Sequence, residues 1–250
     1  MPAAYDTYDY PAYWTTRDYE HLSEVYAIKA LLTMISKIDK IVDIGAGYGR
    51  LTPSYIFRAK RLILTDPSAK LLKIARINIK TKNTKFIQST LDNLPKNIKS
   101  KSVDLAIMVR VLHHIEDPNK AITIINKLLK KNGYLIIEFA NKEHLKAKIT
   151  QMLKGNITFP LDIFPKDRRS PLSVKKQVLP FFNFHPDIIK RYLEDNNFEI
   201  IEQRSVSNIR SPLAKRIFPL DFLLFFEKKL QKVLAKMSFG PSIFILARKK

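Results

Sequence analysis

Apolar positions along the chain follow two rhythms. From residue 38 onward, short and nearly unbroken apolar runs alternate with stretches in which apolar residues recur every three to four positions. The runs Ile41–Ile44, Arg61–Thr65, Lys85–Gln88, Val103–Val109 and Tyr134–Phe139 predict strands buried on both faces, as in a parallel sheet. Between them, Leu71, Leu72, Ala75 and Ile79 predict a helix over Ala69–Ile79, with Ser68 as its cap. Pro118 opens a second helix to Lys131, apolar at Ile122, Ile125, Leu128 and Leu129, with Asn132-Gly133 as its stop. Strand and helix in alternation predict an α/β fold with a doubly wound sheet.

The rhythm changes after Ala140. Residues 141–185 predict an insertion of one short helix and a Pro-, Lys- and Arg-rich loop. His185-Pro186-Asp187 starts a helix to Asn197, followed by a strand at Phe198–Gln203, a long apolar helix near Leu213–Met237 and a last strand at Ser242–Ala247. One or two helices, ending near Ile35, precede the first strand. The expected organisation is a single domain over 1–250: N-terminal helices at 1–37, a core at 38–140, the insertion at 141–185 and the rest of the sheet at 186–250.

Composition narrows the chemistry. The 250 residues include no cysteine, which excludes disulfides, Cys-ligated zinc, iron–sulfur clusters and a cysteine nucleophile. No metal site is expected. Met1 to Tyr10 is polar and tyrosine-rich, without the basic and apolar regions of a signal peptide, and a cytoplasmic protein is expected. The net charge of +21 fits a nucleic-acid, membrane or acidic partner, but the lysines are spread along the whole chain and most read as compositional bias. The 213–237 helix is too short and interrupted to span a bilayer. Its flanking Lys215-Arg216 and Lys228-Lys229 suit peripheral membrane contact, and a core or dimer helix is the alternative.

Three of the six glycines, Gly45, Gly47 and Gly49, fall in Ile41-Val-Asp-Ile-Gly-Ala-Gly-Tyr-Gly-Arg50. A buried strand ending in such a cluster is expected to turn sharply into a helix whose amides face a ligand. A dinucleotide fingerprint would place its third small residue where Arg50 stands, which argues against a dinucleotide-dependent oxidoreductase.

This stretch, together with Leu62-Ile-Leu-Thr-Asp-Pro-Ser68 and Ser102-Val-Asp-Leu-Ala-Ile-Met-Val-Arg-Val-Leu-His-His-Ile-Glu-Asp-Pro118, resembles class I S-adenosylmethionine-dependent methyltransferases. The nearest likeness is to the small-molecule group that includes the ubiquinone and menaquinone biosynthesis enzymes. The resemblance covers about Lys40 to Phe139 well and implies a Rossmann-like seven-stranded sheet of order 3-2-1-4-5-7-6 with the last strand antiparallel. It also implies N-terminal lid helices over the cofactor, with Tyr13, Trp14 and Tyr19 excluding water and Arg17 clamping a carboxylate.

By the same resemblance, Gly45, Ala46 and Gly47 close on the cofactor, Asp66 binds the ribose hydroxyls and Pro67 lies near the adenine. Asp43 works near the methionyl amino group; the structural alternative, compatible with it, is that Asp43 ties down the glycine loop through backbone amides. Many relatives carry an acid where Ser89 stands; here a hydroxyl, with backbone groups of Thr90 and Leu91, would meet the adenine. Arg110, at a strand's C-terminal edge, binds either the methionyl carboxylate or an acidic acceptor, unless a loop acid such as Glu116 holds it. His113 is the expected general base, and the alternative is that His113 and His114 are both structural. The implied reaction is methyl transfer from S-adenosylmethionine to a small molecule, lipid- or quinone-like if the apolar helix bears on it. An RNA methyltransferase and a non-catalytic binder are the competing readings.

Overall fold

The computed structural model describes Asp6, residues 9–176 and residues 178–250. Most of the polar N-terminal stretch read above for a leader lies outside these residues. Helices α1 (Tyr10–Trp14) and α2 (Asp18–Leu32) lead into strand β1 (Lys40–Ile44). Then follow β2 (Arg61–Asp66), α3 (Ala69–Asn78), β3 (Thr84–Gln88), α4 (Leu94–Asn97), β4 (Val103–Met108), α5 (Pro118–Leu128) and β5 (Leu129–Ala140). The 141–185 segment holds α6 (Leu145–Leu153), α7 (Pro171–Lys175) and a two-stranded ladder of β6 (Lys166–Asp167) and β7 (Phe182–Asn183). The chain ends with α8 (Pro186–Asp195), β8 (Phe198–Val206), α9 (Pro212–Ile217), α10 (Leu220–Ala235) and β9 (Ser242–Lys249).

The large sheet has seven strands in the order β3-β2-β1-β4-β5-β9-β8, with β9 antiparallel to both neighbours. Counting only its own strands, this is the expected 3-2-1-4-5-7-6. The unbroken apolar runs have a direct cause. Alternate side chains of each strand enter two separate cores. Val42, Ile44, Ala106, Met108, Leu135 and Ile137 pack with α5 and α8 on one face. Ile41, Leu62, Leu64, Leu105, Ile107 and Ile136 pack with Ala27, Ile28 and Leu31 of α2 on the other. No polar face remains to break the pattern.

Three expectations are corrected. The glycine cluster does not lead into an α-helix. Residues 46–58 are turns and two 3-10 segments, Thr52–Ser54 and Ile56–Arg58. Gly45 and Gly49 take left-handed φ values of 74° and 78°, which a right-handed helix cannot contain. Helix α5 stops at Leu128 instead of Lys131, because Asn132-Gly133 lies within an irregularity of β5 where the register against β4 shifts. The 213–237 helix is two helices. Phe218 is extended ahead of Pro219, which has no N–H and disfavours a helical residue before it.

Candidate active site

A cavity of about 360 Å³ opens where β1, β2 and β4 end. The glycine loop forms its floor. The amides of Gly45 and Ala46 both donate to the Thr65 carbonyl, at 2.8 and 2.9 Å, which ties the loop across to β2. A Cβ on Gly45 would stand 2.2 Å from Cγ2 of Val111, so the loop and the turn after β4 can meet only through glycine.

Asp66 ends β2 and is nearly buried. Its Oδ2 accepts from the Gly47 amide at 2.9 Å and its Oδ1 from the Ser68 amide at 2.8 Å. Each oxygen keeps further acceptor capacity toward the cavity wall it helps to form. Burial raises its pKa, and the two amide bonds oppose that rise.

Asp43 is buried inside β1 and also lines the cavity. Its Oδ2 accepts from the Tyr55 hydroxyl, which also contacts the Thr52 hydroxyl. Burial pushes Asp43 up to about 7; the Tyr55 bond opposes this and nearby Asp66 adds to it. The alternative in which Asp43 fastens the glycine loop through backbone amides is not what the structure has: Tyr55 holds Asp43, and Thr65 and Asp66 hold the loop.

Beside the loop is an ion-pair hub. Glu24, fully buried on α2, takes Arg110 on Oε1, with Nε at 2.7 Å and Nη2 at 2.6 Å, and Arg50 Nη2 on Oε2 at 2.5 Å. Burial alone would raise the Glu24 pKa, but Arg110 and Arg50 outweigh it and hold the carboxyl below its usual value. The Arg50 guanidinium lies 3.4 Å from the Trp14 ring centroid, a cation–π contact that seats α1 over the loop. Arg110 itself has a left-handed φ of 62°, held by its amide donating to the buried Glu138 at 2.8 Å. Exposed Glu116 takes no part in holding Arg110.

Backbone bonds from Phe184 to Ala140 and from Lys142 to Phe184 bring the 178–184 segment against the end of β5. Leu179 thereby joins the cavity wall, with Val111, His114 and Ile115. His114 Nδ1 lies 2.6 Å from the Pro180 carbonyl, which can only accept, so Nδ1 carries a proton and Nε2 is the acceptor atom of the neutral ring. Burial lowers the His114 pKa, so the ring is neutral at pH 7. His113, expected as the base, is not among the lining residues. It is buried between His114 and Phe181, with ring centroids at 4.0 and 4.5 Å.

Residues 42–137 match the family model of a methyltransferase domain. That domain is of the class I S-adenosylmethionine-dependent methyltransferase type. It is 22% identical over 181 residues to a ubiquinone/menaquinone biosynthesis C-methyltransferase of Shewanella sp. (strain ANA-3), covering 68% of this chain and 70% of that protein. It is 24% identical over 217 residues to the tRNA 5-carboxymethoxyuridine methyltransferase of Escherichia coli (strain K12), covering 84% and 80%. Among solved structures, an S-adenosylmethionine-dependent methyltransferase of Thermotoga maritima superposes with a TM-score of 0.63 at 19% identity, over 99% of this chain and 98% of that one.

The methyltransferase cavity fits its cofactor. Gly45, Ala46 and Gly47 bring backbone to its wall, and the Asp66 carboxylate there keeps acceptor capacity beyond its two amide bonds, a donor set that suits a nucleoside. Of the expected cofactor residues, Asp43, Gly45, Ala46, Gly47, Asp66, Pro67, Ser89, Thr90, Leu91 and Arg110 all line this one cavity. Ser89 Oγ donates to the Thr90 carbonyl and accepts from Asn97. Arg17 stands apart, over the Tyr13 ring at 4.1 Å and in a separate cleft beside Lys215. Tyr19 is likewise elsewhere, its hydroxyl donating to Glu227. Tyr10, not Tyr13, reaches the cavity from α1, with Tyr48 beside it.

Glu24 was not singled out from sequence, yet a signal exists. It shares a helical face with Ala27, Ile28 and Leu31, and an acid on an apolar face needs cations.

Proposed function

We propose that this methyltransferase acts on a small, largely apolar acceptor of the quinone or lipid kind. One observation carries the reading: the 111–115 turn and the 178–184 segment contribute Val111, His114, Ile115 and Leu179 to the cavity, three apolar side chains and a single neutral titratable one. A charged metabolite would lose hydration there without gaining a partner.

Bound S-adenosylmethionine supplies a methyl group already activated on a sulfonium. The protein's task is alignment, which can be worth roughly 7–11 kcal/mol of barrier. In this reading Asp66 holds the ribose hydroxyls, Asp43 faces the methionyl ammonium, and Ser89, Thr90 and Leu91 border the adenine beside Pro67. Arg110 and Arg50, held by Glu24, present positive charge to the methionyl carboxylate. His114, in place of His113, accepts at Nε2 the proton that an acceptor hydroxyl loses as it takes the methyl group.

The assay is transfer of labelled methyl from S-adenosylmethionine to a prenylated quinol, with bulk tRNA in parallel. Label in the solvent-extracted quinol product supports the reading. Label in tRNA alone, with binding that weakens steeply with salt, would replace it with the nucleic-acid reading that the net charge of +21 favours.

A further inference from the structure

No helix among the described residues is long and apolar enough to cross a membrane. Helix α10 nonetheless presents an unusual outer surface. Its inner face is fully engaged: Leu223 and Leu224 are buried, Glu227 accepts from Tyr19, and Gln231 donates to the Ser23 carbonyl. The outer face mixes two kinds of residue. At 100° per residue, Phe222, Phe226 and Val233 lie to one side, Lys228 and Lys232 to the other, and Phe225, Lys229 and Lys236 share the ground between them. The phenylalanines are exposed, Phe225 by 58% and Phe222 by 46%. They also form a continuous row. Phe218, Phe222 and Phe226 follow at centroid distances of 5.1 and 4.9 Å, and Phe225 lies 5.5 Å from Phe226. Contiguous exposed apolar surface of this kind marks a contact site.

The cations show what that contact is. Lys215 pairs with Glu20 and Lys232 with Glu202, but Arg216, Lys228, Lys229 and Lys236 have no carboxylate partner among the described residues. The only exposed acid on the helix is Asp221. We propose that α10 docks the enzyme on an anionic lipid bilayer, with the phenylalanine ladder at the boundary of headgroups and acyl chains and the lysines against the phosphates. Exposed phenylalanines interleaved and flanked by lysines suit an interfacial helix, because the long cationic side chains reach past the rings to the headgroups. A second copy is a poor occupant, because joining two such faces brings lysines together between chains that each carry +21. The inference goes beyond the acceptor reading and does not depend on it.

The test is cosedimentation of the full chain with vesicles of phosphatidylcholine alone or mixed with an equal part of phosphatidylglycerol. The protein should pellet with the mixed vesicles and stay in solution with phosphatidylcholine. Phe222→Gln with Phe225→Gln should weaken partition at least about ten-fold. Lys229→Gln with Lys236→Gln should weaken it about twenty-fold. Both pairs lie on the solvent side and should keep the parent's affinity for S-adenosylhomocysteine, which separates a docking defect from a folding or cofactor defect. Retention of the parent in solution with mixed vesicles would overturn the proposal, as would variants that pellet like the parent. A parent dimer that the phenylalanine pair dissolves would assign the face to a second copy instead.

Discussion

Glu24 and Arg110 stand 86 residues apart in sequence, and in the fold one oxygen of the buried Glu24 carboxylate receives two guanidinium nitrogens of Arg110, at 2.7 and 2.6 Å. With Arg50 on the other oxygen, the pair joins α2, the glycine loop and the end of β4 at the cavity. Glu24→Gln leaves two largely enclosed cations without their counter-charge, and breaking such a pair costs about 3 kcal/mol or more. Thermal unfolding at neutral pH should shift down by roughly 6–12 °C. An unchanged midpoint would show the hub to be dispensable.

Asp43 gives a pH dependence of definite sign. An unfolded aspartate loses its proton near pH 4, whereas folded Asp43 keeps it up to about 7. The folded state therefore binds more protons in between. The stability from this group is full below about pH 4 and is lost as pH rises through 7. Asp43→Asn should flatten the decline between about pH 4 and 7, measured by denaturant unfolding. Since an ammonium beside Asp43 favours its charged form, affinity for S-adenosylhomocysteine should rise through pH 7 in the parent and lose that rise in Asp43→Asn. A parent whose stability climbs over this window would contradict the assignment.

Gly45→Ala tests the close approach of loop and turn. The new Cβ meets Val111 at 2.2 Å from a backbone at φ 74°. The left-handed conformation alone costs an L-residue about 1–2 kcal/mol, and Val111 must also move. Stability should fall by about 2 kcal/mol or more, together with cofactor affinity. An alanine variant that binds as the parent does would show that loop and turn can separate without consequence.

The two histidines separate by readout. His114→Ala should lower kcat about 100-fold while leaving S-adenosylhomocysteine affinity intact. The parent's kcat should rise with pH through a limb below 6.5, since burial lowers the His114 pKa. His113→Ala removes a buried ring packed on Phe181 and should act on the unfolding midpoint. A kcat loss confined to His113→Ala would reverse the two roles.

The sheet was readable because both faces of its strands are buried, so Ile41–Ile44 and Val103–Met108 announce themselves by continuous apolarity. Gly45, Gly47 and Asp66 were readable because each stands in a short recognisable motif at a strand end, although the bonds that fix them run between β1 and β2. What sequence did not disclose is non-local. Glu24 acquires its meaning only when the ends of β1 and β4 bring Arg50 and Arg110 to it. Tyr55 finds Asp43 only because residues 46–58 coil as turns in place of a helix. The stretch expected as one helix over 213–237 contains Pro219, and the proline divides it there. The choice between His113 and His114 depended on the 178–184 segment, whose course is set by its pairing with the end of β5.

The central claim is that the cavity lined by Gly45, Gly47 and Asp66 binds S-adenosylmethionine. The most direct measurement is calorimetric titration of the parent and of Asp66→Ala with S-adenosylhomocysteine. One saturable site is expected in the parent. Removing the carboxylate strips acceptors from the Gly47 and Ser68 amides as well as from the ribose, so affinity should fall about 100-fold or more. No binding by the parent, or equal affinity in the two proteins, would contradict it.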